Sequence, residues 1–297
     1  MTTVRRGCAY GKIILIGEHA VVWGTNALAA ALPIGMTATA SLSDMLCIEV
    51  PSWGFKISKQ DDSIHGEALS SLLSHLPFTT GPLKVTIESE IPARAGLGSS
   101  AALAASVVDA IAAANQKILS FDARFTAVQA WESVFHGNPS GIDAALALKG
   151  GILMYNKNTG PTVVEAALPE IMVVHSGRPG DTRSTVARFA DTMKKHPREG
   201  RKRLDRIALL AQTGRDLLMN HATDALGEVM FENHRHLAWF GVSTDELDCI
   251  VQTAEQAGAL GAKLTGGGGG GSAIVLPGDR SSAVLDALTR AGFRVIL

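Results

Sequence analysis

Residues 92–102 read Pro-Ala-Arg-Ala-Gly-Leu-Gly-Ser-Ser-Ala-Ala and run without a break into 103–114, an alanine-rich stretch. Alanine favours helix more than any other residue, so a helix is expected there. A strand-like segment, 84–91, comes just before. The order is strand, glycine loop, helix N-terminus. That order leaves backbone N–H groups unpaired at the helix start, with the positive end of the helix dipole behind them. Gly96 and Gly98 let the backbone approach a ligand, and Ser99 and Ser100 add hydroxyls to the first turn. A chain built this way is expected to hold a nucleotide by its phosphates.

Other readings of the loop exist. Ser99 or Ser100 would serve as an ordinary N-cap. Gly96-Leu97-Gly98-Ser99-Ser100-Ala101 also satisfies a loose dinucleotide fingerprint, but Pro92, Ala93 and Arg94 separate it from the strand. The ribose-binding acid expected about 20 residues on is missing, since Asp109 lies inside the helix and Asp122 beyond it. A Walker sequence is absent too. Gly7-Cys8-Ala9-Tyr10-Gly11-Lys12-Ile13 is one spacer short and ends in isoleucine where a cation-binding Ser or Thr belongs.

With 297 residues the chain can bury a large core in two domains or one. Its 27 basic and 28 acidic side chains leave a net charge of −1, which argues against a surface built for nucleic acid or anionic membrane. Cys8, Cys47 and Cys249 are odd in number and lack metal-ligand spacing, as suits a reducing cytoplasm. Lys12, Glu18 and His19 break the first apolar run too early for an export signal. The apolar stretches 27–40 and 101–114 are too short or too broken to span a bilayer. The expectation is a soluble, cytoplasmic protein.

Residues 12–16 are a β-branched run ending at Gly17 and predict a buried strand. Segments 45–50 and 54–57 predict a hairpin, and 63–73 a short helix. A second long helix begins at Ser120, its N-cap. On it Phe125, Val128, Glu132 and Phe135 share one face, so Glu132 stands inside an apolar stripe. That helix stops at Gly137 with Pro139 behind it, and Ser140-Gly141-Ile142-Asp143 opens another that ends at Gly150-Gly151. A strand follows through Tyr155. Beyond 168 come a strand at 171–175, four helical segments between 184 and 257, and strand-like pieces at 262–264, 272–276 and 293–297. The six glycines Gly266 to Gly271 lie between two of those pieces and predict a close backbone approach rather than a linker. The fold class is α+β with two sandwich-like halves, divided near 160–168 into residues 1–165 and 166–297.

Phosphoryl transfer needs bound phosphates, a divalent cation, a positioned hydroxyl and a group to take its proton. Ser100 and Glu132 are candidate oxygen ligands for Mg²⁺, which takes few protein ligands and fills its shell with water and phosphate. Glu132 could instead pair with His136 one turn on, while a Zn²⁺ site from those two lacks a third ligand. Asp143 is a candidate base, with a capping-box acid as its structural alternative. Lys12 could hold Asp143 ionised and stabilise the developing charge. Glu18 and His19, just after the first strand, are candidates for binding substrate hydroxyls or a carboxylate.

Assembled, these residues resemble the GHMP small-molecule kinases and, within them, the mevalonate kinases. Lys12-Ile13-Ile14-Leu15-Ile16-Gly17-Glu18-His19-Ala20-Val21-Val22 is similar to the first motif of the family, Pro92 through Ala102 to its nucleotide loop, and Lys263-Leu264-Thr265 with the following glycines to its third motif. His136-Gly137-Asn138-Pro139-Ser140-Gly141-Ile142-Asp143 and the run from Gly258 to Gly266 resemble mevalonate kinases in particular. The resemblance implies a nucleotide-binding N-terminal domain with a left-handed βαβ unit and a ferredoxin-like C-terminal domain. It implies Mg²⁺ on Ser100 and Glu132, and Asp143 with Lys12 as catalytic residues. ATP would contact Ser89, Arg94, Ala95, Gly96, Leu97, Gly98, Ser99 and Ser100. Mevalonate would lie near Lys12, Glu18, His19, Asp143 and Thr182. A homodimer is compatible with it. Three departures stand out: Arg94 where a small residue is usual, Ala144 where asparagine is common after the aspartate, and Gly267 in place of alanine.

The expected reaction is transfer of the ATP γ-phosphoryl group to the C5 hydroxyl of mevalonate. Alternatives are phosphomevalonate or homoserine kinase chemistry on the same fold, a nucleotide-binding relative without catalysis, and, more remotely, a dinucleotide-dependent oxidoreductase.

Overall fold

The computed structural model describes residues 5–297. Eleven strands and nine α-helices alternate along them, and their contacts group into two compact units. The first unit runs through Lys12, Ala31–Ala93 and Gly98–Gly150, and the second comprises Ile13–Ala30, Arg94–Leu97 and Gly151–Leu297. This grouping differs from a single cut near 160–168. β1 (Arg5–Ile16) and β2 (Ala27–Leu42) are long enough to contribute residues to both units.

In the first unit, β3 (Cys47–Val50) and β4 (Phe55–Ser58) form the expected hairpin, paired from Val50–Phe55 to Cys47–Ser58. Helix α1 (Ile64–Ser74), capped by Ser63, then leads to β5 (Leu83–Ser89). β5 lies parallel to β3 and antiparallel to the second half of β2, giving the order β4-β3-β5-β2. Helix α2 (Ser99–Ala114) packs on β5, and α3 (Phe121–His136) and α4 (Ile142–Lys149) pack against α2. α2 is buried almost all round, from Ala101 to Ala105 and again through Val107, Val108, Ala110 and Ile111. A helix apolar on every face has to be enclosed, and its small side chains let α3 and α4 come close.

In the second unit, residues Ala27 to Ala30 of β2 pair with β6 (Ile152–Asn156), which pairs with β7 (Gly160–Val163). The chain continues through β8 (Met172–His175), α5 (Thr182–Lys195), α6 (Pro197–Met219), α7 (Thr223–Trp239) and α8 (Asp245–Gln256). It ends with β9 (Gly261–Thr265), β10 (Ser272–Leu276), α9 (Ser281–Arg290) and β11 (Arg294–Val295). The four last strands form an antiparallel sheet ordered β11-β8-β10-β9. First and third strands central, second and fourth at the edges, with helical crossovers, is the ferredoxin-like arrangement. Its core gathers Phe189, Phe240, Leu247, Ile250, Leu264 and Val275.

Several elements depart from the sequence reading: β1 begins at Arg5, seven residues before the expected strand at 12–16, and β7 was not expected. β2 covers sixteen residues where only an apolar stretch was marked, and Pro33 and Gly35 inside it mask the alternating burial of residues 36–40. α9 had no counterpart, and the expected strand at 293–297 shrinks to Arg294–Val295. No helix among the described residues is long and apolar enough to cross a membrane.

Candidate active site

The loop between β5 and α2 has the shape its sequence implies. Ser89 at the strand end donates to Ile91 O over 2.9 Å. Arg94 is exposed and holds φ near 59°, the left-handed region that non-glycine residues seldom enter. Ala95 O accepts from Ser272 Oγ over 2.8 Å, which ties this part of the loop to β10. The N-cap of α2 is Gly98, with φ near 74°, and no side chain caps the turn. Ser99 and Ser100 lie inside the helix and are not its caps. A Cβ on Gly98 would also come within 2.8 Å of Lys12 Cγ, so only glycine lets the lysine lie along the loop.

Lys12 at the end of its unit's part of β1 meets Asp143 in the first turn of α4, Nζ to Oδ1 3.2 Å. The Lys12 side chain is 5% exposed and that of Asp143 33%. Asp143 is thus paired with a buried ammonium, not used as a capping acid. The N-cap of α4 is Gly141, and the Ser140 hydroxyl accepts from Ile142 N at 3.4 Å.

Glu132 is buried on the inner face of α3 and accepts from Ser100 Oγ at 2.5 Å. Burial pushes its carboxyl up to about 7, opposed by the Ser100 bond, with the nearby Asp143 charge raising it and Lys12 lowering it. Its other oxygen lies 3.8 Å from His136 Nε2. Two hard oxygen donors, one of them a buried carboxyl, suit Mg²⁺. Among the described residues no group of three or more His, Cys, Asp and Glu side chains converges, so the Zn²⁺ reading of Glu132 and His136 gains no third ligand. Trp131, unmarked by the sequence reading, donates its indole N–H to Ser100 Oγ over 3.0 Å.

In the second unit, Glu18 is wholly buried and its carboxylate is already engaged. Lys263 Nζ pairs with one oxygen, and Asn233 Nδ2 donates to the other over 3.1 Å. Lys263 also donates to Ile14 O and Leu264 O. Glu18 therefore faces Lys263 and Asn233, not open space, because a buried carboxylate needs such partners. The signal in the sequence was Lys263, a charge between Ala262 and Leu264 in an apolar strand.

His19 follows with φ near 58°. Its Nε2 lies 2.9 Å from Gly267 O and must donate to that carbonyl, which leaves Nδ1 as an acceptor. The ring stacks on Phe189 with centroids 5.5 Å apart, and burial lowers its pKa from 6.5 to about 4 against the Gly267 bond. His19 is neutral at pH 7. Gly267 O also accepts from Thr185 Oγ1 at 2.7 Å. A Cβ on Gly267 would overlap Thr182 Oγ1, so glycine here makes room for the threonine at the start of α5. The structure thus gathers His19 and Thr182 around Gly267.

Comparison with known proteins places the chain in a family. The family model for the GHMP kinases N terminal domain matches residues 63–151, and that for GHMP kinases C terminal matches 215–294. The mevalonate kinase of Methanothermobacter thermautotrophicus is 33% identical over 268 residues, covering 90% of this chain and 88% of the relative. The chain belongs to the GHMP kinase family. The mevalonate kinase of Thermococcus onnurineus is 32% identical over 96% of this chain and 92% of its own. The solved structure of L. major mevalonate kinase in complex with R-mevalonate superposes with a TM-score of 0.83 at 27% identity, over 97% of this chain and 92% of that one. The GHMP kinase fold, mixed α+β with two parts, follows from these matches and from the topology.

Proposed function

We propose that this GHMP kinase transfers the γ-phosphoryl group of ATP to the C5 hydroxyl of mevalonate, giving 5-phosphomevalonate and ADP. The observation that carries the reading is the Lys12–Asp143 pair, in a chain whose curated relatives of similar length are mevalonate kinases. A carboxylate one-third exposed beside a buried ammonium is what a hydroxyl nucleophile needs. Asp143 takes the hydroxyl proton as the oxygen attacks phosphorus and the bond to ADP breaks. Lys12 pairs with Asp143 and offsets charge on the transferring group.

Ser89 and the loop from Arg94 to Ser100 hold ATP, with the uncapped first turn of α2 toward its phosphates. Ser100 and Glu132 are the residues to hold Mg²⁺, which when bound spreads and neutralises phosphate charge. His19, neutral, offers Nδ1 to a substrate hydroxyl, and Thr182 adds a second polar contact. Glu18, with Lys263, positions the His19 turn. The cytoplasm is the compartment proposed, supported by three free cysteines, two of them exposed.

The test is ADP release by the purified chain with Mg²⁺, ATP and a panel of mevalonate, phosphomevalonate, homoserine and galactose. Mevalonate is expected to give the highest kcat/KM. Turnover confined to another alcohol would replace it with a sister activity.

A further inference from the structure

Ser100 Oγ sits between two groups of opposite kind. The Trp131 indole N–H donates to it over 3.0 Å, and the hydroxyl donates to Glu132 Oε1 over 2.5 Å. A hydroxyl has one proton and two lone pairs, whereas an indole nitrogen can only donate. The indole therefore fills one lone pair, cannot compete for the proton, and leaves the second lone pair open. Trp131 is itself fixed: it is 2% exposed, sits next to Glu132 on α3, and packs against Phe135 with centroids 5.6 Å apart.

We propose that Trp131 is a positioning residue whose N–H holds the Ser100 hydroxyl in the one rotamer that presents its free lone pair to the divalent cation of the nucleotide. The inference rests on the phosphoryl-transfer reading above and concerns how this chain prepares its serine. Without the indole donor the hydroxyl keeps only its bond to Glu132 and turns more freely about its Cα–Cβ bond. Cation-dependent nucleotide binding should then weaken by about three- to tenfold, the range of one neutral hydrogen bond.

The experiment measures ADP binding by calorimetry, with Mg²⁺ and with EDTA, for the wild-type chain, Trp131→Phe, Ser100→Ala and the double variant. Trp131→Phe is expected to weaken Mg²⁺·ADP binding by that factor, to leave metal-free ADP binding unchanged, and to have no further effect on the Ser100→Ala background. Equal weakening with and without Mg²⁺, or an undiminished effect in Ser100→Ala, overturns the proposal. A second reading does not need Trp131→Phe to fold. In ¹⁵N-labelled protein, which has four tryptophans, Ser100→Ala should shift one indole N–H signal strongly. Four unmoved indole signals would also overturn it. A wild-type chain that binds no ADP under either condition overturns the kinase reading and this inference with it, and that outcome is seen before any substitution is made.

Discussion

Protonating His19 should destabilise the folded chain, and the size of the effect follows from its surroundings. The ring is 7% exposed, stacked on Phe189 and bonded through Nε2 to Gly267 O, and its pKa is lowered from 6.5 to about 4, chiefly by burial. The unfolded chain takes up this proton below pH 6.5 and the folded chain only near 4. Stability from His19 is therefore complete above about pH 6.5, falls as the pH drops toward 4, and is level below that. A difference of about 2.5 pKa units corresponds to about 3 kcal/mol in full, of which about 2 kcal/mol is lost between pH 8 and pH 5. The perturbation to compare is His19→Asn. Asparagine does not titrate, keeps an amide donor, and tolerates the positive φ at this position. Urea unfolding followed by circular dichroism at both pH values gives the slopes. The wild-type chain should lose about 2 kcal/mol more than the variant over that interval. Equal losses would mean that His19 is not buried neutral, and the assignment of Nδ1 as an acceptor would fall with it.

Asp143→Asn should leave ATP affinity within about twofold and lower kcat by about a hundredfold or more, since the amide keeps its volume but cannot take the proton; near-wild-type turnover, read by ADP release, would remove Asp143 from catalysis. Glu132→Gln should raise the Mg²⁺ concentration needed for half-maximal rate, with partial rescue by excess metal, and an unchanged Mg²⁺ titration would move the cation elsewhere. Gly267→Ala drives a methyl group onto Thr182 Oγ1, so it should raise KM for mevalonate and cost about 1–3 kcal/mol of stability. Thr182→Gly added to it should recover the stability; a single variant as stable as wild type would show that the two residues do not interlock.

The parts of this fold that show in the sequence are those governed by local chemistry. Ser120 caps α3 and Gly137 ends it as their positions indicate, while Ser63, read as the first residue of its helix, is the cap of α1. Glu132 stands out because a carboxylate interrupts a helical stripe, and its burial beside Ser100 is the reason. What stayed hidden depends on distant partners. β2 is set by pairing with β5 and β6, which no window of sixteen residues displays. Glu18 looked like a substrate contact because it sits beside His19 just after the first strand, yet its partners Lys263 and Asn233 come from more than 200 residues away. Trp131 reads as one more apolar position on α3, and only the fold brings its N–H to Ser100. The loop at Gly98 was legible as a turn, but its second constraint, the Lys12 side chain lying against it, was not.

The central claim is that this chain phosphorylates mevalonate on its C5 oxygen with Asp143 taking the proton. Two-dimensional ¹H–³¹P correlation spectroscopy of a reaction containing the purified chain, Mg²⁺, ATP and (R)-mevalonate tests it directly. The account predicts a phosphoester signal coupled to the C5 methylene protons, growing with ADP in the wild-type reaction and suppressed in Asp143→Asn. A phosphoester on the C3 oxygen, without methylene coupling, or ATP consumption that leaves mevalonate unmodified, would contradict it.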